Sequence, residues 1–188
     1  MKKNIVLIGM MGCGKTTIGE ELSRELPNFK YVDIDEEIEK STQKKISEIF
    51  LKHGEPFFRM LETGKIKLFC NGEKAIISVG GGAFESEENR DILLKTSNVI
   101  YLKATPQDIY NRIKSEVIQN SENHNAAISR KRPLLKKNFS IEKITTIMQM
   151  REKNYSKADI TIDTTGKEIY NVVNEILGAL NGWFVYKN

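Results

Sequence analysis

The chain has 188 residues, 39% of them hydrophobic and 29% charged, which fits one globular domain with a two- or three-layer core and excludes a multidomain machine. Its 29 basic and 25 acidic residues leave a formal charge of +4, too mild to point to nucleic acid unless the cations cluster, as they do once, over residues 130–137. Apolar runs are short, far below the roughly 18 residues that cross a bilayer, and Met1-Lys2-Lys3 leads straight into a strand-like run, so a cytoplasmic protein with no cleaved signal and no membrane partner is expected.

In chain order, a short strand over residues 4–9 leads to a helix over 15–26, whose Ile18, Leu22 and Leu26 form one buried stripe and which Pro27 stops. A second strand is predicted over 29–34, and three more over 75–79, 99–102 and 158–162. Thr105-Pro106-Gln107-Asp108 supplies an N-cap, an N1 proline and an N3 acid, and Thr165-Gly166-Lys167-Glu168 reads as a second capping box. Ile/Val/Leu strands alternating with helices imply a mostly parallel sheet, covered on both faces. Residues 115–131 are polar and carry neither glycine nor proline, so they read as a surface excursion or lid, with extra helical turns permitted. Cys13 and Cys70 have no metal-ligand or CxxC spacing and are expected to be reduced thiols, with no structural zinc.

Gly9 to Thr16 spell GMMGCGKT, which fits GxxxxGK[ST] between a strand and a helix. Glycines let such a loop curl its N–H groups inward, the helix N-terminus adds a positive dipole, and Lys15 brings a full charge to the β- and γ-phosphates of a nucleoside triphosphate. Thr16 would offer its hydroxyl to Mg²⁺, whereas Cys13 reads as a small spacer, with no base beside it in sequence. The strand over 75–79 ends in glycines and lacks the aspartate that usually supports the metal, so an acid from elsewhere must serve.

Asp33-Ile34-Asp35 closes the second strand, where strand alternation would point both carboxylates into one cleft if the strand continues through them. Gly54 to Arg59 place an arginine on a helix starting near Pro56. Gly80, Gly81 and Gly82 follow a buried strand, where backbone entropy is spent mainly if a ligand approaches the main chain. Residues 130–137 carry five cations and no acid, which reads as a solvated basic patch or, if the glycine loop binds phosphates, as a lid folding charge over them.

Taken together, GMMGCGKTT, YVDID, EIFLKHGEPFFR, SVGGG, RPLL and REKNY followed by AD resemble shikimate kinases, over about residues 3–165. The resemblance implies a three-layer α/β/α fold with a five-stranded parallel sheet, like the P-loop nucleoside monophosphate kinases, in a single domain over 1–188 with a lid at about 112–137. It implies transfer of the ATP γ-phosphoryl group to the 3-hydroxyl of shikimate, in aromatic amino acid biosynthesis, with Mg²⁺ as cofactor. By the same resemblance Gly12, Cys13, Gly14, Lys15, Thr16 and Thr17 hold ATP, and Thr16 and Asp33 hold Mg²⁺, Asp33 through water. Arg112 contacts adenine, and Arg132 closes from the lid as a catalytic and ATP-binding residue beside Lys15 and Asp35. Asp35, Arg59, Gly80, Gly81, Gly82 and Arg151 bind shikimate, the planar guanidinium forks suiting its carboxylate. The stretch between Arg112 and Arg132 is longer than the compact family lid, and Asp163-Thr164-Thr165-Gly166 lacks the arginine or proline often found beside adenine. A monomer without nucleic-acid partners is expected. The competing readings are another small-metabolite kinase of this fold, such as a gluconate kinase, and a nucleotide-binding regulatory subunit without transfer activity.

Overall fold

The computed structural model describes residues 2–120 and 139–184, with side chains for 2–115 and 139–180. Five parallel strands form one sheet in the order β2-β3-β1-β4-β5, namely β1 (Asn4–Ile8), β2 (Lys30–Asp33), β3 (Ala75–Ser78), β4 (Ser97–Lys103) and β5 (Ile160–Asp163). Seven α-helices accompany them among the described residues: α1 (Lys15–Glu25), α2 (Ile34–Thr42), α3 (Ile46–Cys70), α4 (Glu87–Thr96), α5 (Pro106–Asn120), α6 (Ile141–Tyr155) and α7 (Ile169–Phe184).

Every residue of β1 is buried, because the strand is central and covered on both faces. Alternation splits its side chains between two cores. Ile5 and Leu7 pack with Leu22, Ile109, Ile144, Val172 and Ile176, from α1, α5, α6 and α7. Val6 and Ile8 pack on the other face with Ile34, Ile49, Phe58, Ile66 and Leu93, from α2, α3 and α4. This is the expected three-layer α/β/α arrangement, and each fully buried Ile or Leu contributes roughly 1.5–3 kcal/mol.

Because all strands run the same way, their C-terminal ends share one edge, where the Gly9 loop, Asp33, Gly80, Ala104 and Thr164 emerge. Thr105 caps α5 as expected, its Oγ1 accepting from Asp108 N at 3.2 Å. Three sequence expectations are corrected. Strand β2 stops at Asp33, whose Oδ1 accepts from the N–H groups of Asp35 and Glu36 at 2.9 and 3.3 Å, so Asp35 belongs to the first turn of α2. The capping box over 165–168 does not form, since Thr165 Oγ1 accepts from Thr105 N at 3.2 Å and α7 starts at Ile169. Strand β5 starts at Ile160 instead of 158, because Asp159 turns its carboxylate to Val99 N at 2.8 Å. Of the expected lid, 112–120 continue α5, and 121–137 lie outside the described residues.

Helix α3 bends at Gly54, whose φ of 78° and ψ of 173° suit glycine almost alone. The bend separates its first two turns from the segment that carries Arg59 and Glu62.

Candidate active site

The strand ends open into a cleft of about 770 Å³, which Gly12, Cys13, Gly14, Lys15, Thr16, Thr17, Asp33, Asp35, Arg59, Gly80, Gly81, Gly82, Arg112 and Arg151 all line. The sequence-predicted residues therefore converge, except Arg132, which lies outside the described residues.

At the nucleotide end, Gly9, Gly12 and Gly14 take φ values of 142°, 78° and 100°, the left-handed backbone that lets the loop curl round a phosphate. Lys15 Nζ donates to the carbonyls of Gly9 and Met10 at 3.0 and 3.1 Å, bridging the loop it would share with a phosphate. Thr16 Oγ1 stands 3.5 Å from Asp33 Oδ2, which also accepts from Tyr31 Oη at 3.3 Å. Asp33 thus caps α2 with one oxygen and turns the other to Thr16. Cys13 is fully buried, its Sγ 3.9 Å from Lys15 Nζ, as a packed spacer would be. Arg112 reaches the carbonyls of Thr164 and Cys13 at 2.6 and 3.3 Å and Asp108 Oδ2 at 3.3 Å, tying α5 and the β5 loop to the glycine loop. In place of the absent arginine or proline beside the base, Thr164, Lys167 and Ile169 line this end.

The opposite end is built around Gly80, Gly81 and Gly82. A Cβ on Gly80 would lie 2.7 Å from Glu62 Oε1 and 3.2 Å from Asp35 Oδ1, one on Gly81 3.1 Å from Arg151 Nη1, and one on Gly82 2.6 Å from Arg59 Nη2. Each glycine makes room for a charged side chain. Their three N–H groups take no acceptor among the described residues.

Arg59 is held on two sides. Its Nε and Nη2 donate to Glu55 Oε1 at 3.2 and 2.9 Å, and its Nη1 to Glu62 Oε2 at 2.7 Å. One donor on each terminal nitrogen is left from the five of a guanidinium. Arg151, 8% exposed, has Met10 Sδ at 3.8 Å and stands beside the Tyr155 hydroxyl and the Glu62 carboxylate.

Asp35 Oδ1 and Glu62 Oε1 are buried without any donor. Burial, the neighbouring Asp33 carboxylate and that of Glu62 push Asp35 up to about 7, against the pull of Lys15 and Arg59. Burial also raises Glu62, outweighing the Arg59 and Arg151 cations beside it. Two carboxyl oxygens without a donor among the described residues thus face one glycine.

Sequence reasoning missed Glu62, although its position three residues after Arg59 on a helix puts it on the same face. It also passed over Tyr155, four residues after Arg151, and the buried Phe58, which lines the acceptor end with Phe50.

Among the described residues no group of three or more His, Cys, Asp or Glu could hold a metal, and no helix is long and apolar enough to cross a membrane. The family model described as "Shikimate kinase" matches residues 11–181. The chain is 40% identical to the shikimate kinase of Geobacter metallireducens over 96% of its length and 93% of that protein's. It is 39% identical to that of Persephonella marina, over 95% and 99%. Among solved structures, the shikimate kinase from Acinetobacter baumannii in complex with shikimate superposes with a TM-score of 0.84 at 30% identity, covering 97% of this chain and 94% of that one. The Aquifex aeolicus shikimate kinase gives 0.72 at 32% identity, covering 97% and 98%. A phosphate loop facing two guanidinium groups and an orphaned carboxylate across one cleft is what such an enzyme needs, and the chain belongs to the shikimate kinase family, the ATP-dependent kinases it matches in sequence and fold.

Proposed function

We propose that the chain transfers the γ-phosphoryl group of ATP to the 3-hydroxyl of shikimate, giving shikimate 3-phosphate and ADP. The observation that carries this reading is the acceptor end of the cleft, where Arg59 and Arg151, two guanidinium forks, stand with Asp35 and the free N–H groups of Gly80 to Gly82. A polyhydroxylated carboxylate matches that set group by group. The shikimate bound to the Acinetobacter baumannii enzyme supports the same choice.

Phosphoryl transfer through a loose transition state asks for positioning and charge stabilisation more than for covalent chemistry. Lys15 exchanges its two carbonyl acceptors for phosphate oxygens, while the N–H groups of the glycine loop and the start of α1 receive the remaining charge. Asp35 accepts the hydrogen bond of the attacking hydroxyl and aims its oxygen along the transfer line. Arg59 and Arg151 hold the carboxylate, and Arg132, which lies outside the described residues, would add its charge at the phosphates. Arg112 borders the base.

Thr16 Oγ1 and Asp33 Oδ2 are hard oxygen donors 3.5 Å apart, a fit for Mg²⁺, which keeps few protein ligands and takes the rest from phosphate and water. Bound there, Mg²⁺ would neutralise charge on the β- and γ-phosphates. Two buried, unpaired cysteines suit the reducing cytoplasm.

A coupled ADP-release assay decides the substrate. ADP release that depends on shikimate is expected, with gluconate inert; release with gluconate and none with shikimate would place the chain among other small-metabolite kinases.

A further inference from the structure

Helix α6 presents two side chains to the glycine segment, one turn apart. Arg151 faces the place where a Gly81 Cβ would be, with Nη1 at 3.1 Å. Tyr155, 1% exposed, donates its hydroxyl to the Gly81 carbonyl. Its ring leans on Tyr101 with centroids 4.9 Å apart, and Tyr101 is in turn fixed by Glu152, whose Oε2 accepts from Tyr101 Oη at 2.9 Å. The phenol that reaches Gly81 therefore stands on a packed support.

The Gly81 carbonyl and the Gly82 N–H belong to one planar trans peptide, in which they point in opposite directions. Glycine resists rotation of that plane least of all residues. Three glycines in succession could turn their N–H groups away from a ligand at little cost, unless something outside the segment holds a carbonyl. Among the described residues the Gly80 and Gly82 carbonyls accept within the segment's own turn, from Ala83 N at 2.9 Å and Glu85 N at 3.1 Å. Gly81 has no such local partner, and Tyr155 fills the gap. The place matters because a Gly81 Cβ would lie 3.4 Å from Gly9 O and 3.5 Å from Met11 N, against the entrance of the phosphate loop.

We propose that Tyr155 is a positioning residue for the acceptor: its hydroxyl locks the Gly81–Gly82 peptide so that the Gly82 N–H stays turned toward bound substrate. The role rests on the reading of Gly80 to Gly82 as part of the shikimate site. Burial pushes the Tyr155 phenol up from its ordinary value, so the group stays a neutral donor throughout the working pH range.

Tyr155→Phe removes the donor and keeps the ring on Tyr101. Steady-state kinetics should show KM for shikimate raised roughly three- to tenfold, the loss of one neutral hydrogen bond. KM for ATP should stay within about twofold and kcat within about threefold. Tyr110→Phe, which deletes a hydroxyl from a ring stacked on Phe139 in the other core, is the control and should leave KM for shikimate unchanged. An unaltered shikimate KM in Tyr155→Phe, a parallel rise in both KM values, a loss confined to kcat, or a variant that fails to fold would each overturn the proposal in favour of a purely structural tyrosine. Failure of wild-type protein to phosphorylate shikimate would instead overturn the substrate reading on which it stands.

Discussion

Asp35 is held by the fold in a place where its charge is costly. The carboxylate is buried beside Asp33 and Glu62, one of its oxygens has no donor, and its pKa stands near 7 against an ordinary 3.8. The folded chain keeps this proton up to about pH 7, whereas the unfolded chain releases it near 3.8. Between those values the native state binds more protons, so this group makes stability fall as pH rises from about 4 to about 7, with the full cost present above. A shift of that size caps the cost at about 4 kcal/mol. Asp35→Asn removes the charge, and its amide could donate to the orphaned Glu62 Oε1. In the ligand-free protein at pH 8 the variant should be about 1–3 kcal/mol more stable than wild type, with the gain shrinking toward pH 4. Turnover should fall by on the order of a hundredfold or more, because an amide accepts the hydroxyl proton poorly. Thermal denaturation at the two pH values checks the first half; equal midpoints at pH 8 would mean that the carboxylate is not strained.

Among the elements, α3 shows how a single residue aims a whole segment. Gly54 adopts φ 78° and ψ 173°, and a Cβ there would meet only Pro56 Cδ at 3.6 Å, so substitution is opposed by backbone conformation and not by crowding. Gly54→Ala should destabilise the chain by about 1–3 kcal/mol, lowering the melting midpoint by roughly 2–4 °C per kcal/mol. Since Arg59 and Glu62 both lie beyond the bend, calorimetry should find shikimate affinity reduced more than that of an ATP analogue; equal losses would show that the bend does not serve the acceptor end.

The same elements show what the sequence could reveal. The glycine loop, Arg59, Arg151 and the three glycines were legible because each is a residue type that the chemistry demands at a marked place. Asp33 and Asp35 were found but put on a strand, because whether a chain stays extended past an aspartate depends on whether its side chain caps the next turn, which period-two alternation cannot reveal. The apparent cap at Thr165 failed because that hydroxyl is drawn to Thr105 N, sixty residues away in sequence. Glu62 and Tyr155 were within reach as helical neighbours of the two arginines, but their roles depend on what the opposite wall of the cleft presents.

On the scale of the whole molecule, the sheet divides the labour. The phosphate loop and α1 rest on the core that holds Leu22 and Ile144, whereas Arg59 and Asp35 are carried by helices packed on the other face, against Ile34 and Phe58. Among the described residues the two sets come together at the strand ends, where α6, with Ile144 in the first core and Tyr155 in the second, brings Arg151. Ligands at the two ends should therefore stabilise the fold independently. A ligand at a hundred times its Kd adds about 2.7 kcal/mol, or roughly 5–11 °C in a chain of this size. Lys15→Ala should erase most of the shift produced by a non-hydrolysable ATP analogue with Mg²⁺ and leave the shikimate shift intact. Arg59→Ala and Arg151→Ala should do the reverse, each measured against its own ligand-free baseline. For Arg59→Ala that baseline should itself fall, because Glu62 is fully buried and loses the cation 2.7 Å away. Charge-assisted bonds of about 1.5–3 kcal/mol each are enough to remove most of a ligand shift of this size. If either arginine variant lost the nucleotide shift in proportion to the shikimate shift, the two ends would be one coupled site, and the separation by layers would not describe how this enzyme binds.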